Sequence, residues 1–102
     1  MPVAYTTHNR ILTVTLSGEI DHHRVKGVLQ DLDQAIDEVL PRQLIVDCAG
    51  ITFMDSSGIG VLVGRYRKIS CFGGKVYVIH ADSRILRILR MSGLEKIVEI
   101  ME

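Results

Sequence analysis

Apolar and polar residues alternate between positions 11 and 16, and this period of two predicts a strand with one buried face. The segment before it, residues 3–7, is predicted to be its antiparallel partner, joined by a turn at residues 8–10. A run of consecutive apolar residues at 44–48 is typical of a central strand in a parallel sheet. The remaining strands are predicted at residues 75–79 and, at an edge of the sheet, 97–101.

Three other segments carry apolar residues every three or four positions, which predicts helices with one buried stripe. Proline cannot continue a helix, glycine favours helix ends, and aspartate or serine favours helix starts. The predicted helices, with the residues that bound them, are 24–40 before Pro41, Ser56 to about Cys71 before Gly73-Gly74, and a third from the Asp82-Ser83 cap to Gly93.

Strands that alternate with helices in this order predict a single α/β domain over residues 1–102, with a mixed, mostly parallel sheet of about five strands and α-helical crossovers. In such sheets the segments after the parallel strands gather at one edge, where ligands usually bind. Here these segments are 18–23, 53–58 and 80–83. The carboxyl edge of the sheet is therefore expected to collect two serines, several carboxylates and three of the four histidines.

Charge and composition exclude several classes of function. Twelve basic residues balance twelve acidic ones, so long-range attraction to nucleic acid or to an anionic membrane is not expected. No apolar run approaches the length of a membrane span, and the first residues lack the order of a secretion signal. The two cysteines form a poor disulfide framework and favour a reducing compartment. We therefore expect a cytoplasmic protein.

The segment Asp55-Ser56-Ser57-Gly58 is the strongest candidate for chemistry. The plainest interpretation is that its serines cap a helix, since a serine oxygen accepts hydrogen bonds from the first free amides. However, glycines at 58, 60 and 64 weaken this helix by about 1 kcal/mol each relative to alanine, which indicates close approach of another backbone or a partner. A helix start also favours a phosphate, because of its free amides and positive dipole end.

The stretch Phe53-Met54-Asp55-Ser56-Ser57-Gly58-Ile59-Gly60-Val61-Leu62-Val63-Gly64-Arg65-Tyr66 resembles the anti-sigma factor antagonists of the STAS domain family, and especially the sporulation antagonists among them. The resemblance extends to Gly18-Glu19-Ile20-Asp21-His22-His23, to Gly73-Gly74 and to Met91-Ser92-Gly93-Leu94. It covers nearly the whole chain in order and at compatible spacing. It implies a STAS-type single domain.

This resemblance implies a mechanism of partner switching. The unphosphorylated antagonist binds an anti-sigma factor that is also a serine kinase, and a sigma factor is released. The kinase uses ATP to phosphorylate the antagonist, which ends binding, and a serine phosphatase of the PP2C type resets it. The family's phosphoserine follows the aspartate directly, which corresponds to Ser56. The antagonist is not an enzyme, acts on the sigma factor indirectly and needs no cofactor.

The partner-binding residues that the resemblance suggests are Glu19, Asp21, His22, Asp55, Ser57, Gly58 and Arg65. Of these, Asp21 is the leading candidate for a contact with the kinase. The adjacent histidines 22 and 23 have no defined ligand geometry, so we expect no metal site.

Two alternatives remain open. One is a STAS domain of another pathway, as a stress-response antagonist or a scaffold. The other is a hydrolase with Ser56 or Ser57 as nucleophile and His22, His23 or His80 as base, although there is no Gly-x-Ser-x-Gly motif. A phosphate-binding P-loop is also absent from the sequence, so we do not expect the chain itself to bind nucleotide.

Overall fold

A computed structural model describes residues 3–101; Met1, Pro2 and Glu102, which the predicted domain includes, lie outside the described residues. The elements, in chain order, are β1 (Val3–His8), β2 (Ile11–Ile20), α1 (Val25–Val39), β3 (Gln43–Met54), α2 (Ser56–Ser70), β4 (Lys75–Ile79), α3 (Ser83–Met91), a 3₁₀ turn (Leu94–Lys96) and β5 (Glu99–Ile100). None of the helices within residues 3–101 is long and apolar enough to cross a membrane.

The five strands form one sheet in the order β1-β2-β3-β4-β5. β1 is antiparallel to β2, whereas the β2–β3, β3–β4 and β4–β5 pairs are parallel. The predicted α/β fold with a mixed, mostly parallel sheet is confirmed. The last strand is shorter than predicted, since only Glu99 and Ile100 pair with β4.

The core lies on one face of the sheet. The row Val14, Val46 and Val78 runs across three neighbouring strands and is fully buried. The next row, Thr13, Ile45 and Tyr77, points the other way and is only half-buried. Buried residues of the helices join the first face, including Leu32 of α1, Leu62 of α2 and Leu89 of α3. Complete burial of such a side chain contributes about 1.5–3 kcal/mol, so this face provides most of the stability.

Strands β2 and β3 are longer than their apolar patterns predict. β4 ends opposite Asp47, but β3 continues to Met54 and stays paired with β2 up to Ile20. The ends of the two strands, Ser17–Ile20 and Gly50–Met54, therefore form a two-stranded ribbon that extends beyond β4. Residues 18–20 and 53–54, predicted to lie in connecting segments, are strand residues of this ribbon.

Two β-bulges in β3 explain why the apolar pattern did not predict the extension of this strand. Thr15 and Ser17 of β2 are two residues apart, whereas their partners in β3, Asp47 and Gly50, are three residues apart, so β3 contains one additional residue here. A second shift follows Gly18, where Thr52 is the additional residue of β3. Each additional residue reverses the direction of the side chains that follow it, so the alternation that identifies a strand in sequence is lost.

Candidate functional site

Helix α2 begins at an aspartate cap. The Oδ1 atom of Asp55 accepts a hydrogen bond of 2.8 Å from the Ser57 amide. Asp55 has extended backbone angles, as a cap residue must. The prediction that the serines cap α2 is therefore wrong. Both aspartate and serine are strong caps, and only the backbone geometry decides which of them occupies the position.

The same aspartate joins α2 to the turn that follows β2. Its Oδ2 atom accepts a hydrogen bond of 3.3 Å from the His22 amide, and its own amide donates to the Ile20 carbonyl at 3.4 Å. Desolvation acts to raise the pKa of the Asp55 carboxyl, but hydrogen bonds from Ser57, His22 and Gly58 outweigh it and lower that pKa below its ordinary 3.8. Asp55 and His22, both predicted site residues, are thus brought together.

Asp21 organises the turn itself. Its Oδ1 atom accepts hydrogen bonds of 3.0 Å from the amides of His23 and Arg24, and its carbonyl accepts from Arg24 and Val25. These contacts start helix α1, so the half-buried Asp21 has a structural role in addition to the partner contact predicted for it.

The two serines differ in their surroundings. Ser56 is exposed at the first position of α2, and no hydrogen bond of its hydroxyl is found within residues 3–101. Ser57 is half-buried, and its amide donates to the Asp55 carboxylate. A hydroxyl on a half-buried residue is less accessible to a kinase than one on an exposed residue.

Gly58 is buried where α2 meets the ribbon. An added Cβ atom would lie 2.5 Å from Cγ of Met54 and 3.2 Å from the carbonyl oxygen of Ile20. Glycine is required there because no side chain fits. In contrast, a Cβ atom on Gly60 or Gly64 would meet no described atom within 4 Å. Packing against the described part of the chain therefore accounts for the first of these glycines only.

Arg65 and Glu19 lie in different environments. The Nε atom of Arg65 is 3.2 Å from Oδ1 of Asp33 on α1, and its side chain is only 12% exposed. The two groups form an ion pair without hydrogen-bond alignment. Arg65, predicted to lie on the partner surface, thus contributes mainly to the contact between α1 and α2. Glu19 is exposed on the ribbon.

Phe53 belongs to this site and was missed as a site residue. It lies opposite Glu19 in the ribbon, and its side chain is 48% exposed. In the sequence it begins the predicted connecting segment 53–58, where nothing singled it out from its apolar neighbour Met54. The signal that distinguishes it is the bulge at Thr52, and a bulge cannot be recognised from apolar periodicity.

The histidines do not assemble a catalytic site with the serines. Within residues 3–101, no hydrogen bond connects the hydroxyl of Ser56 or Ser57 to a histidine ring, and Nδ1 of His80 lies 3.1 Å from Oδ1 of Asp47 instead. The same part of the chain contains no group of three or more histidine, cysteine or acidic residues that could hold a metal ion. The arrangement therefore offers an accessible hydroxyl beside carboxylates, without a base positioned to activate it.

Comparisons with known proteins give a consistent result. The model of the STAS domain family matches residues 2–102. An anti-sigma F factor antagonist of Paenibacillus polymyxa is 40% identical over 95 residues, which cover 93% of this chain and 81% of the relative. A solved structure of the antagonist SpoIIAA in its unphosphorylated form superposes with a TM-score of 0.82 at 25% identity, covering 98% of this chain and 88% of SpoIIAA. The phosphorylated form of Bacillus SpoIIAA superposes with a TM-score of 0.73 at 25% identity and covers 98% and 91%.

Proposed function

The chain belongs to the STAS domain family, and we propose that it acts there as an anti-sigma factor antagonist whose binding is switched off by phosphorylation of Ser56. In its unphosphorylated form it binds an anti-sigma factor and thereby releases a sigma factor. The anti-sigma factor is also the kinase and uses ATP, and a PP2C-type phosphatase restores the first form. All of these partners act in the cytoplasm, in keeping with a buried and an exposed cysteine that are both unpaired.

The observation that carries this proposal is the difference between Ser56 and Ser57. Ser56 is exposed at the start of α2, whereas Ser57 is half-buried and its amide completes the cap. A kinase can reach the first without dismantling the helix start. SpoIIAA, which shares this fold, has been solved in a phosphorylated form, and this likeness supports a phosphoprotein.

The proposed switch acts by exclusion rather than by refolding. A phosphate adds about −1.5 to −2 charges and three acceptor oxygens. The Asp55 carboxylate already accepts the hydrogen bond of the Ser57 amide. Its negative charge repels a phosphate on Ser56, which therefore projects outward from the cap. It then occupies the space that the partner must fill. The sheet and α2 keep their structure in both forms.

The partner surface that we propose surrounds Ser56. Glu19 and His22 are exposed on it, and Asp21 is half-buried beside them. Asp55, Ser57 and Gly58 form its base, since they fix the start of α2 against the ribbon. Arg65, further along α2, is the remaining member proposed for this surface and is held by its ion pair with Asp33.

The glycines of α2 provide further support. Gly60 and Gly64 follow Ser56 at intervals of four residues, so the three lie along one side of the helix. A helix interior with two glycines is weakened by about 1 kcal/mol each, and neither glycine is explained by packing within the described residues. A partner that lies flat against this side of α2 accounts for both.

Phosphorylation in a defined mixture tests the proposal. The chain is incubated with ATP and the anti-sigma F factor of Paenibacillus polymyxa, the target for which its 40% identical relative is named. We expect mass spectrometry to locate one phosphate on Ser56. Ser56→Ala should bind the anti-sigma factor but resist release by ATP, and the neighbouring Ser57→Ala is the matched control that should still be labelled. A phosphate on Ser57, or none on the wild type, would refute the proposed switch.

A further inference from the structure

Phe53 is exposed because of the bulge in β3 that also buries Met54 against helix α2. Ile51 points into the core, so strict alternation would turn Phe53 inward and Met54 outward. The additional residue Thr52 reverses this, because Phe53 pairs with Glu19 and Met54 pairs with Ile20. Met54 is therefore buried against Gly58, and Phe53 is turned to solvent.

The neighbours of Phe53 give this surface a defined chemistry. Registered partners in a parallel pair share a face, so the phenyl ring and the Glu19 carboxylate lie side by side. Glu19 is exposed, and no cation within residues 3–101 lies at ion-pair distance from it. Phe53 precedes the Asp55 cap by two residues and Ser56 by three, so the pair is continuous with the proposed phosphorylation site.

We propose that Phe53 is the apolar anchor of the surface that binds the anti-sigma factor, with Glu19 as the charged contact next to it. The partner then presents an apolar pocket with a lysine or arginine at its margin. Aromatic residues dominate the energetics of protein interfaces, particularly when neighbouring contacts exclude water. This inference rests on the proposed function and adds the residue that provides most of the affinity.

A second copy of the chain is a poorer occupant of this surface. Two-fold pairing of the same face would bring the two Glu19 carboxylates towards each other, near Asp21 and Asp55 of both copies. Like charges in contact oppose association. The acidic surroundings of Phe53 instead complement a basic partner.

A comparison of two exposed phenylalanines tests the inference. Phe72 is 43% exposed, close to the 48% of Phe53, but it follows the other end of α2. The 15 residues of this helix span about 22 Å, and the two phenylalanines lie close in sequence to its opposite ends. Phe72→Ala is therefore a control that removes the same amount of exposed apolar surface at a distant place.

Affinity for the anti-sigma F factor of Paenibacillus polymyxa is measured by calorimetry for the wild type and both variants. We expect Phe53→Ala to weaken binding by at least about tenfold and Phe72→Ala by less than about twofold. Glu19→Gln should weaken binding by a smaller factor that diminishes as salt is added. The thermal midpoint of Phe53→Ala should equal that of Phe72→Ala, because neither ring is in the core.

The outcomes separate the inference from the proposed function. If the wild type binds and is labelled on Ser56, but Phe53→Ala binds equally well, the inference is overturned and the proposed function remains. Equal losses in the two alanine variants would overturn the inference as well. If the wild type neither binds nor is labelled, the proposed function fails and the inference fails with it.

Discussion

Gly58 rests directly on Met54: a Cβ atom at position 58 would come within 2.5 Å of the Met54 Cγ atom. The first turn of α2 is therefore fixed to the end of β3 by backbone packing, in addition to the Asp55 cap. Because Ser56 lies between these two residues in sequence, its position relative to the ribbon depends on both contacts.

Gly58→Ala is expected to destabilise the protein by about 1–3 kcal/mol, since the methyl group must displace Met54 or the Ile20 carbonyl. Gly60→Ala is the matched control. It should stabilise the protein by up to about 1 kcal/mol, because the helix gains propensity and the methyl group meets open space. Urea denaturation of the three proteins measures both effects. Equal responses at the two positions would contradict the close contact at Gly58.

The Asp55 cap should make stability depend on pH. Because the folded-state pKa is below the ordinary 3.8, the ionised carboxylate stabilises the fold. This contribution is complete above the ordinary pKa and is lost as the pH falls through the folded-state value. Asp55→Ala should lower the thermal midpoint at pH 7, and the difference from the wild type should shrink below pH 3.8.

Asp55→Asn separates the charge from the shape of the cap. Asparagine is also a strong cap residue but does not titrate. The variant should retain most of the stability at pH 7 and show a weaker dependence on acid than the wild type, measured as thermal midpoints from pH 7 down to pH 3. Parallel curves for the wild type and Asp55→Asn would rule out the proposed electrostatic contribution.

Leu40 occupies a position better suited to glycine. It ends α1 in the left-handed region, with φ of 49°, and it is exposed. Any residue with a Cβ atom is strained there, so Leu40→Gly is expected to stabilise the protein by about 0.5–1 kcal/mol. The Leu40 carbonyl, which accepts hydrogen bonds from Arg10, is retained. Leu40→Ala, which keeps a Cβ atom at this φ, should not give the same increase in thermal midpoint.

Arg65 provides a test of two roles. Arg65→Met should lower stability by about 1–2 kcal/mol by removing the ion pair with Asp33, and the loss should be smaller in an Asp33→Asn background. A double-mutant cycle measured by urea denaturation gives the coupling. If Arg65 acts only within the fold, affinity for the anti-sigma factor stays unchanged at temperatures where the variant is folded. A clear loss of affinity without coupling to Asp33 would instead favour the partner contact predicted from the sequence.

Most elements could be predicted because their apolar residues recur with one period and their ends carry strong signals, such as Pro41 after α1 and Gly73 after α2. The ribbon could not be predicted, because the two bulges interrupt the alternation of buried and exposed residues in the part of β3 that lies beside the candidate site. At Asp55, the sequence offers several good caps in a row, and it does not predict the hydrogen bond between the Asp55 carboxylate and the His22 amide, 33 residues away.

The orientation of Arg65 depends on a similar long-range contact, since Asp33 lies on another helix. Helical periodicity predicts on which side of the helix a residue lies. It does not predict which neighbouring element covers that side. The sequence therefore did not predict that Arg65 is largely buried beside α1.

The two bulges of β3 also affect how this surface can diverge. The outward residues of the ribbon, Glu19, Thr52 and Phe53, are exposed, whereas Ile20, Ile51 and Met54 hold the ribbon to the core. Substitutions at the outward positions leave the packing of the core intact. If the proposed partner surface lies there, evolution can change its specificity at the outward positions while the inward positions preserve the fold.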